Sequence, residues 1–506
     1  MKVILLWALL MIAGCALKAQ STPEEKLMQT LYAITNLYVD SISKEAYINH
    51  TIAEMMRKLD PFSEYLPPVQ LQGNEQVLGG MTNFAGIGVE GTWKNGHFYV
   101  TFVERNGNAW KQGIRAGDEV VSVDGKTPGQ LQDGQIFRLL NGEEGSVVTL
   151  QVKRGKKLLP ERKIVRAYLP VSGIRTSYMI DEETGYLAIS VFSKNVSNDF
   201  KKHLQGLLRQ GMKNLILDIQ KNEGGLFDEA VTIADELLDG TKSIVYADGV
   251  HMDRMTFQAG TKGLFEQGRL TVLVSGQTKS AAEILAGALQ DWDRGVLLGS
   301  RTFGKGLIQD TFPFEDGSAL RLTVARYFTP SGRSIQKVYK KEEQPFKPSS
   351  DTYKSLRTHR TLKSGGGIMP DISVQTDTMH FTQWYNMLVY SGVQKQTVRD
   401  FVVEHRMALQ KKYKTFETFQ RDFQGDDLLQ ELCRMAGEAN ITFSEEEYEK
   451  SKSFLTVQLK ALLARDLFNE NRYYYQVLNS MNPCVRKAYE ILSTPSDYQM
   501  ILKEND

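Results

Sequence analysis

Hydrophobic and polar residues follow different rhythms along this chain. Two short apolar runs, Leu215-Ile216-Leu217-Asp218-Ile219 and Leu270-Thr271-Val272-Leu273-Val274, predict strands, the second of them buried. Each runs into a turn and then a helix. Gln220-Lys221-Asn222-Glu223-Gly224-Gly225 leads into a helix from about Phe227, and the turn at Ser280 leads into one from Ala281 to Leu289. Alternation at Phe98 to Val103 and at Leu320 to Phe328 predicts further strands. Asp124-Gly125 between apolar runs predicts a tight hairpin turn, because both residue types tolerate the positive φ that such a turn demands. From about Phe381 the rhythm turns helical and the chain becomes dense in Lys, Arg, Glu and aromatics. Phe381, Trp384, Tyr385 and Leu388 recur at helical spacing, and Trp384 and Tyr473-Tyr474-Tyr475 read as core or interface packing.

The candidate chemistry lies between the second strand unit and the next glycine loop. Ser280 opens Ser280-Ala281-Ala282-Glu283-Ile284, and Lys305 follows 25 residues later in Thr302-Phe303-Gly304-Lys305-Gly306, with Gln309 four residues beyond it. A serine hydroxyl is a poor nucleophile until a base takes its proton. An amine can be that base only when neutral, which calls for a dry pocket that lowers its pKa from about 10.4. Gln309 can hydrogen-bond such an amine without adding charge. A nucleophile at the start of a helix also has free backbone N–H groups nearby to stabilise an oxyanion. Taken singly, Ser280 reads equally as a helix cap and Lys305 as a surface lysine.

Together, these segments resemble the carboxyl-terminal processing proteases, the tail-specific serine peptidases with a Ser-Lys dyad. That family carries an alternating Ser-Ala run ending in Glu-Ile, then Gly-Ala-Leu-Gln-Asp, then Thr-Phe-Gly-Lys-Gly with a glutamine four residues past the lysine. The matching residues are Thr278 to Ile284, Gly287 to Asp291, and Thr302 to Gln309. The resemblance implies Ser280 as nucleophile, Lys305 as general base and Gln309 as the residue that orients it. It also implies an oxyanion hole from the amides of Gly225 and Ala281. Two departures stand out: Lys279 replaces a small residue directly before the serine, and the glycine turn lacks the family's arginine and proline. Lys279 would lower the pKa of Lys305 as a like charge, alter substrate preference, or simply point to solvent.

The likeness extends further. Leu59 to Pro67 resembles the family's segment ahead of its peptide-binding module, and about Gly79 to Arg166 resembles a PDZ domain. A PDZ groove takes an extended peptide by strand addition and captures its terminal carboxylate in backbone amides, here expected in a loop formed by Phe84, Ala85, Gly86, Ile87 and Gly88. Thr329 to Gln336 and Gly366 to Ile372 are similar to the family too, so the resemblance covers about residues 55 to 375. The implied fold is α/β and multidomain: a PDZ-like β-rich module, a crotonase/ClpP-like ββα protease core, and a helical C-terminal region. The expected division is a signal peptide over 1–19, an N-terminal helical region over 20–78, the PDZ domain over 79–166, the protease core over 167–380 and the helical domain over 381–506.

Composition narrows the partners. The chain has 506 residues, with 61 basic against 60 acidic side chains and a formal charge of +1, so nothing pulls it toward nucleic acid. No zinc-type cysteine spacing or phosphate loop is present, and no metal or cofactor is expected. Met1-Lys2 followed by apolar Val3 to Ala13 predicts a signal peptide, hence an exported, periplasmic protein. Ile12-Ala13-Gly14-Cys15 looks like a lipobox, which would add a lipid anchor at Cys15; cleavage after Ala19 is the alternative. Cys433 and Cys484 remain, and whether they pair is open. The expected partners are proteins or peptides with free C-termini, with self-association through the helical region as a further option. The leading expectation is a serine endopeptidase; the alternative is a peptide-binding scaffold with an inactive core.

Overall fold

The computed structural model describes residues 22–131, 134–260, 262–338, 351–375 and 378–503. The expected signal peptide and Cys15 lie outside them. Among the described residues no helix is long and apolar enough to cross a membrane.

The chain forms two compact units. The first joins the N-terminal residues up to Pro67 with Thr311–Leu322. Its first helix, α1 (Pro23–Leu37), starts at a capping box in which Thr22 and Glu25 satisfy each other's backbone N–H, with Pro23 at the first helical position. Helix α2 (Lys44–Arg57) is capped by Ser43. Asp60 then accepts from the N–H groups of Phe62 and Ser63, a local turn that delivers β1 (Glu64–Leu66) antiparallel onto residues 319–321.

The second unit holds everything else. It begins with α3 (Pro68–Leu78), so the helical region expected over 20–78 is split between the units. The PDZ-like segment follows as β2 (Met81–Gly86), β3 (Val89–Lys94), β4 (His97–Val103), β5 (Glu119–Val123), α4 (Gln135–Leu140), β6 (Asn141–Gly142) and β7 (Val147–Arg154). Strands β3, β4, β5 and β7 form one antiparallel sheet with β3 at its end. Phe98, Val100, Ile136, Leu140, Val148 and Leu150 fill the core between that sheet and α4. Asp124 and Gly125 adopt φ of 48° and 74°, the turn expected of them. Strand β2 lies apart, between β6 and β8 (Ala167–Pro170).

The protease core is a six-stranded sheet in the order β9 (Ile174–Met179), β10 (Thr184–Ile189), β11 (Asn214–Asp218), β14 (Arg269–Val274), β15 (Val296–Gly299) and β17 (Ile372–Ser373). Only the β9–β10 pair is antiparallel. Between these strands run α5 (Val196–Arg209), α6 (Phe227–Asp235), the hairpin of β12 (Ser243–Gly249) and β13 (Met252–Gln258), and α7 (Ala281–Asp291). Residues 326–328 of β16 (Ala319–Phe328) pair with β12.

Period-two alternation sends Leu215, Leu217, Leu270, Val272 and Val274 to one face of the core sheet, where they meet Phe200, Leu204, Ile233 and Leu285 of the three helices. Ile216, Leu273, Val296 and Leu298 go to the other face. Both faces are covered, which is why these strands read as unbroken apolar runs.

That second face corrects the expected boundary of the helical domain. Helices α8 (Gln383–Tyr390), α9 (Val393–Lys412), α10 (Phe416–Asp422), α11 (Asp426–Glu438), α12 (Glu445–Phe468) and α13 (Asn471–Leu478) share a core of their own, built on Trp384, Phe401, Phe419, Leu432 and Leu463. The last two, α14 (Pro483–Ser493) and α15 (Pro495–Ile501), instead lay Val485, Ala488, Leu492 and Tyr498 on the core sheet. Tyr498 also hydrogen-bonds the backbone of Leu270. Of the four residues read as one helical face, Trp384, Tyr385 and Leu388 are buried, while Phe381 precedes α8 and is 40% exposed. Cys433 and Cys484 are both free thiols.

The helical domain grips the back of the PDZ sheet. Asn469, the left-handed cap of α12, accepts from Val103 N–H at 2.8 Å and donates to its carbonyl at 2.9 Å, as a neighbouring strand would. Glu90 on β3 pairs with Arg399 and Arg465, and Lys94 pairs with Glu404.

Candidate active site

Strand β14 ends at Val274, and the chain turns through Thr278 into α7. Thr278 is buried and caps its own turn by accepting from Ser275 N–H at 2.9 Å while donating to Ile219 O at 2.8 Å. Ser280 follows two residues later, half-buried, with φ 57° and ψ −123°. A residue with a Cβ rarely adopts this conformation, and holding it costs about 1–3 kcal/mol. The helix-cap expectation for Ser280 is therefore met in position but not in the usual extended backbone geometry.

Three neighbours hold the strained turn. Ser280 N–H donates to Glu283 Oε2 at 3.0 Å, one helical turn on. Its carbonyl lies 2.8 Å from the hydroxyl of Tyr327, which lies 2.6 Å from the carbonyl of Lys305. Glycine supplies the third contact. A Cβ on Gly224 (φ 100°) would stand 2.8 Å from Ser280 Cβ, so only glycine lets the upstream turn close on the serine. Gly225 has φ 134° and is exposed, and a side chain there would strike the backbone of Phe192 at 2.4 Å. Among the described residues, the N–H groups of Gly225 and Ala281 donate to no protein acceptor.

Lys305 is placed by the same groups. Its N–H donates to Glu283 Oε2 at 2.8 Å, and Gly304 N–H donates to Oε1 at 2.8 Å. Thr302 Oγ1 donates to Oε1 at 2.5 Å and accepts from Ile368 N–H. The Lys305 ammonium donates to Gln309 Oε1 at 2.7 Å. The serine turn and the lysine loop, 25 residues apart, thus meet around one carboxylate and one hydroxyl, and Gln309 joins them through the lysine ammonium. Glu283 is buried, and that burial pushes its pKa up to about 7 despite four hydrogen-bond donors. Burial likewise pushes the Tyr327 phenol well above its ordinary value, with the Glu283 charge adding to it.

The two departures from the family pattern meet each other. Lys279 Nζ pairs with Glu223 of the glycine turn at 2.8 Å and lies 5.7 Å from the Phe303 ring centroid. Its backbone N–H donates to Asn222 O at 3.1 Å. Its charge is thus paired within the glycine turn.

At the other end of α7, Arg333 is buried against Asp291 and Gln290, and Arg360 bridges Asp293 and Asp371 at 2.5 and 2.6 Å. This cluster anchors the segments around 329–336 and 366–372. Sequence reasoning quoted those motifs but assigned them no task. It also passed over Glu283, Thr302 and Tyr327. For Glu283 the signal was present, since Ser-x-x-Glu is a capping box. Thr302 and Tyr327 gave none.

The expected carboxylate loop needs correction. Phe84, Ala85 and Gly86 are not loop but the end of β2, paired with β6 and β8. Ala85 and Ile87 are buried, whereas Phe84 is 58% exposed. Ile87 and Gly88 alone form the link into β3, with Gly88 at φ 82°. Among the described residues their N–H groups donate to no protein acceptor.

Comparison with known proteins decides the family. Residues 183–343 match peptidase family S41, residues 99–154 a PDZ domain, and residues 384–469 a family of unknown function. A carboxy-terminal-processing protease of Bartonella bacilliformis is 31% identical over 304 residues, 59% of this chain and 69% of that protein. The chain belongs to the carboxy-terminal-processing protease family. It is a serine-type protease. A probable CtpA-like serine protease of Staphylococcus haemolyticus is 29% identical over 385 residues, 74% of this chain and 75% of that one. Among solved structures, the photosystem II D1 C-terminal processing protease is 28% identical, with a TM-score of 0.38 over 70% of this chain and 94% of its own. Within this family member the S41 match holds Ser280, Lys305 and Gln309, and the 384–469 match falls on α8 to α12.

Proposed function

We propose that this protease is an exported endopeptidase that takes hold of a protein's C-terminal tail through its PDZ domain and cuts by a Ser-Lys acyl-enzyme. The observation that carries the reading is the strained Ser280 at the head of α7, tied through Glu283 and Tyr327 to the Lys305 segment. Neutral Lys305 accepts the Ser280 proton as Oγ attacks the substrate carbonyl, and it returns that proton to the leaving amine. Water then releases the acyl group by the same route in reverse. The unengaged amides of Gly225 and Ala281 supply the oxyanion donors, and their fixed direction in the protein makes such donors effective. Gln309 holds the Lys305 amine without a charge that would keep it protonated.

Tail recognition draws support from β3, the end strand of the PDZ sheet, where an extended peptide can add antiparallel. The Ile87 and Gly88 amides stand at its head, in the place of a carboxylate nest, and α4 borders the same core. Met1-Lys2 and the apolar run to Ala13 support export, with Cys15 as a site for a lipid anchor.

The test compares one unstructured peptide with a free and an amidated C-terminus. The free form is expected to bind and be cut at least several-fold better. Equal affinity and equal cleavage would remove tail recognition and leave a serine protease of other selectivity.

A further inference from the structure

Glu283 is fully buried, joins no ion pair among the described residues, and serves both halves of the candidate site at once. Its Oε2 accepts from Ser280 N–H and Lys305 N–H at 3.0 and 2.8 Å. Its Oε1 accepts from Gly304 N–H and Thr302 Oγ1 at 2.8 and 2.5 Å. An ionised carboxylate offers about four acceptor positions, and here four donors fill them. A neutral side chain of the same length cannot accept all four. A glutamine would turn an NH2 group toward two of the donors, and a protonated acid would turn a hydroxyl toward one. The opposite side of the same two residues is held by Tyr327, whose hydroxyl reaches the carbonyls of Ser280 and Lys305.

We propose that Glu283, in its ionised form, is the positioning residue that sets the nucleophile turn against the lysine loop, with Tyr327 closing the ring from the carbonyl side. The proposal rests on the Ser-Lys reading above. Glu283 touches no reacting atom; it fixes the backbone on which both reacting side chains are mounted. A misplacement of about 1 Å between reacting groups can cost about 100-fold in rate, which gives such a residue its leverage.

The arrangement also couples the site to pH. Burial raises Glu283 to about 7, and the titratable side chain that feels its charge is Tyr327 from β16, while Lys305 meets it through its backbone N–H. As pH falls through 7 the carboxyl takes up a proton and loses acceptor capacity. That protonation adds to whatever the Ser-Lys pair itself requires, so the acid limb of log kcat should be steeper below about pH 6 than it is when position 283 cannot titrate.

The experiment measures kcat, KM and the acid limb for the wild-type protein, Glu283→Gln and Tyr327→Phe, with Ser280→Ala as control. For Glu283→Gln the expected result is a drop in kcat of about 10- to 100-fold, KM within about 3-fold, and an acid limb shallower than that of the wild type. Wild-type kcat with an unchanged acid limb would overturn the proposal. If circular dichroism shows Glu283→Gln to be unfolded, Tyr327→Phe decides: it removes one hydroxyl, and kcat should fall about 3- to 10-fold at unchanged KM. An unchanged kcat there would overturn it. Turnover by Ser280→Ala would instead overturn the Ser-Lys reading itself, so the two failures are distinct.

Discussion

At the N-terminal end of helix α7 the buried carboxylate of Glu283 meets backbone N–H groups and one hydroxyl, whereas at the C-terminal end Asp291 and Asp293 meet the guanidinium groups of Arg333 and Arg360. Glu283 and Asp291 lie within one eleven-residue helix that is buried throughout, and Asp293 follows two residues beyond its end. A backbone amide has no flexible stem, so a carboxylate bonded to several of them fixes the main chain directly. A guanidinium rides on a long side chain and tolerates small shifts, but removing it strands a buried charge. The N-terminal end therefore serves alignment, and the C-terminal end serves attachment. Substitutions at the two ends should separate activity from stability.

The largest effect is expected at the alignment end. Lys305→Ala should lower kcat/KM on an unstructured protein substrate by at least about 1,000-fold, because nucleophile and base act as a unit. Its thermal unfolding should stay close to wild type. Activity within 10-fold of wild type would assign the base elsewhere. At the attachment end, Arg333→Met removes a side chain that is 1% exposed and leaves Asp291 without its partner. Breaking such a pair costs about 3–5 kcal/mol. Urea denaturation should show a loss of that order, while cleavage per folded molecule changes far less. A loss below about 1 kcal/mol would mean that the ion pair does not hold this end together.

Much of this arrangement was legible in the residues, and the reasons are local. The runs at 215–219 and 270–274 fall on β11 and β14 within a residue or so, because strands buried on both faces leave an unbroken apolar signature. Asp124-Gly125 is a turn because of what those two residues tolerate. The spacing of Ser280, Lys305 and Gln309 pointed to residues that the fold gathers. What escaped was set by distant partners. Periodicity showed that α14 has an apolar face but not that the face belongs to the core sheet, since Val485 and Ala488 would suit a helical bundle equally. Lys279 and Glu223 each read as an isolated departure, and their pairing appears only when segments 56 residues apart meet. The stretch from Phe84 to Gly88 read as a loop because it stands where the resemblance to a PDZ domain puts carboxylate capture. Gly86 instead sits within a strand, where a Cβ would fall 2.4 Å from Asn141 Oδ1.

The most direct test of a serine nucleophile at the head of α7 is to incubate an unstructured protein substrate with the wild-type enzyme and with Ser280→Ala, and to count peptide bonds cut by mass spectrometry. The wild-type protein should cut it, and Ser280→Ala should leave it intact while unfolding at the wild-type temperature. Cleavage by the folded Ser280→Ala protein at a substantial fraction of the wild-type rate would contradict the Ser-Lys account.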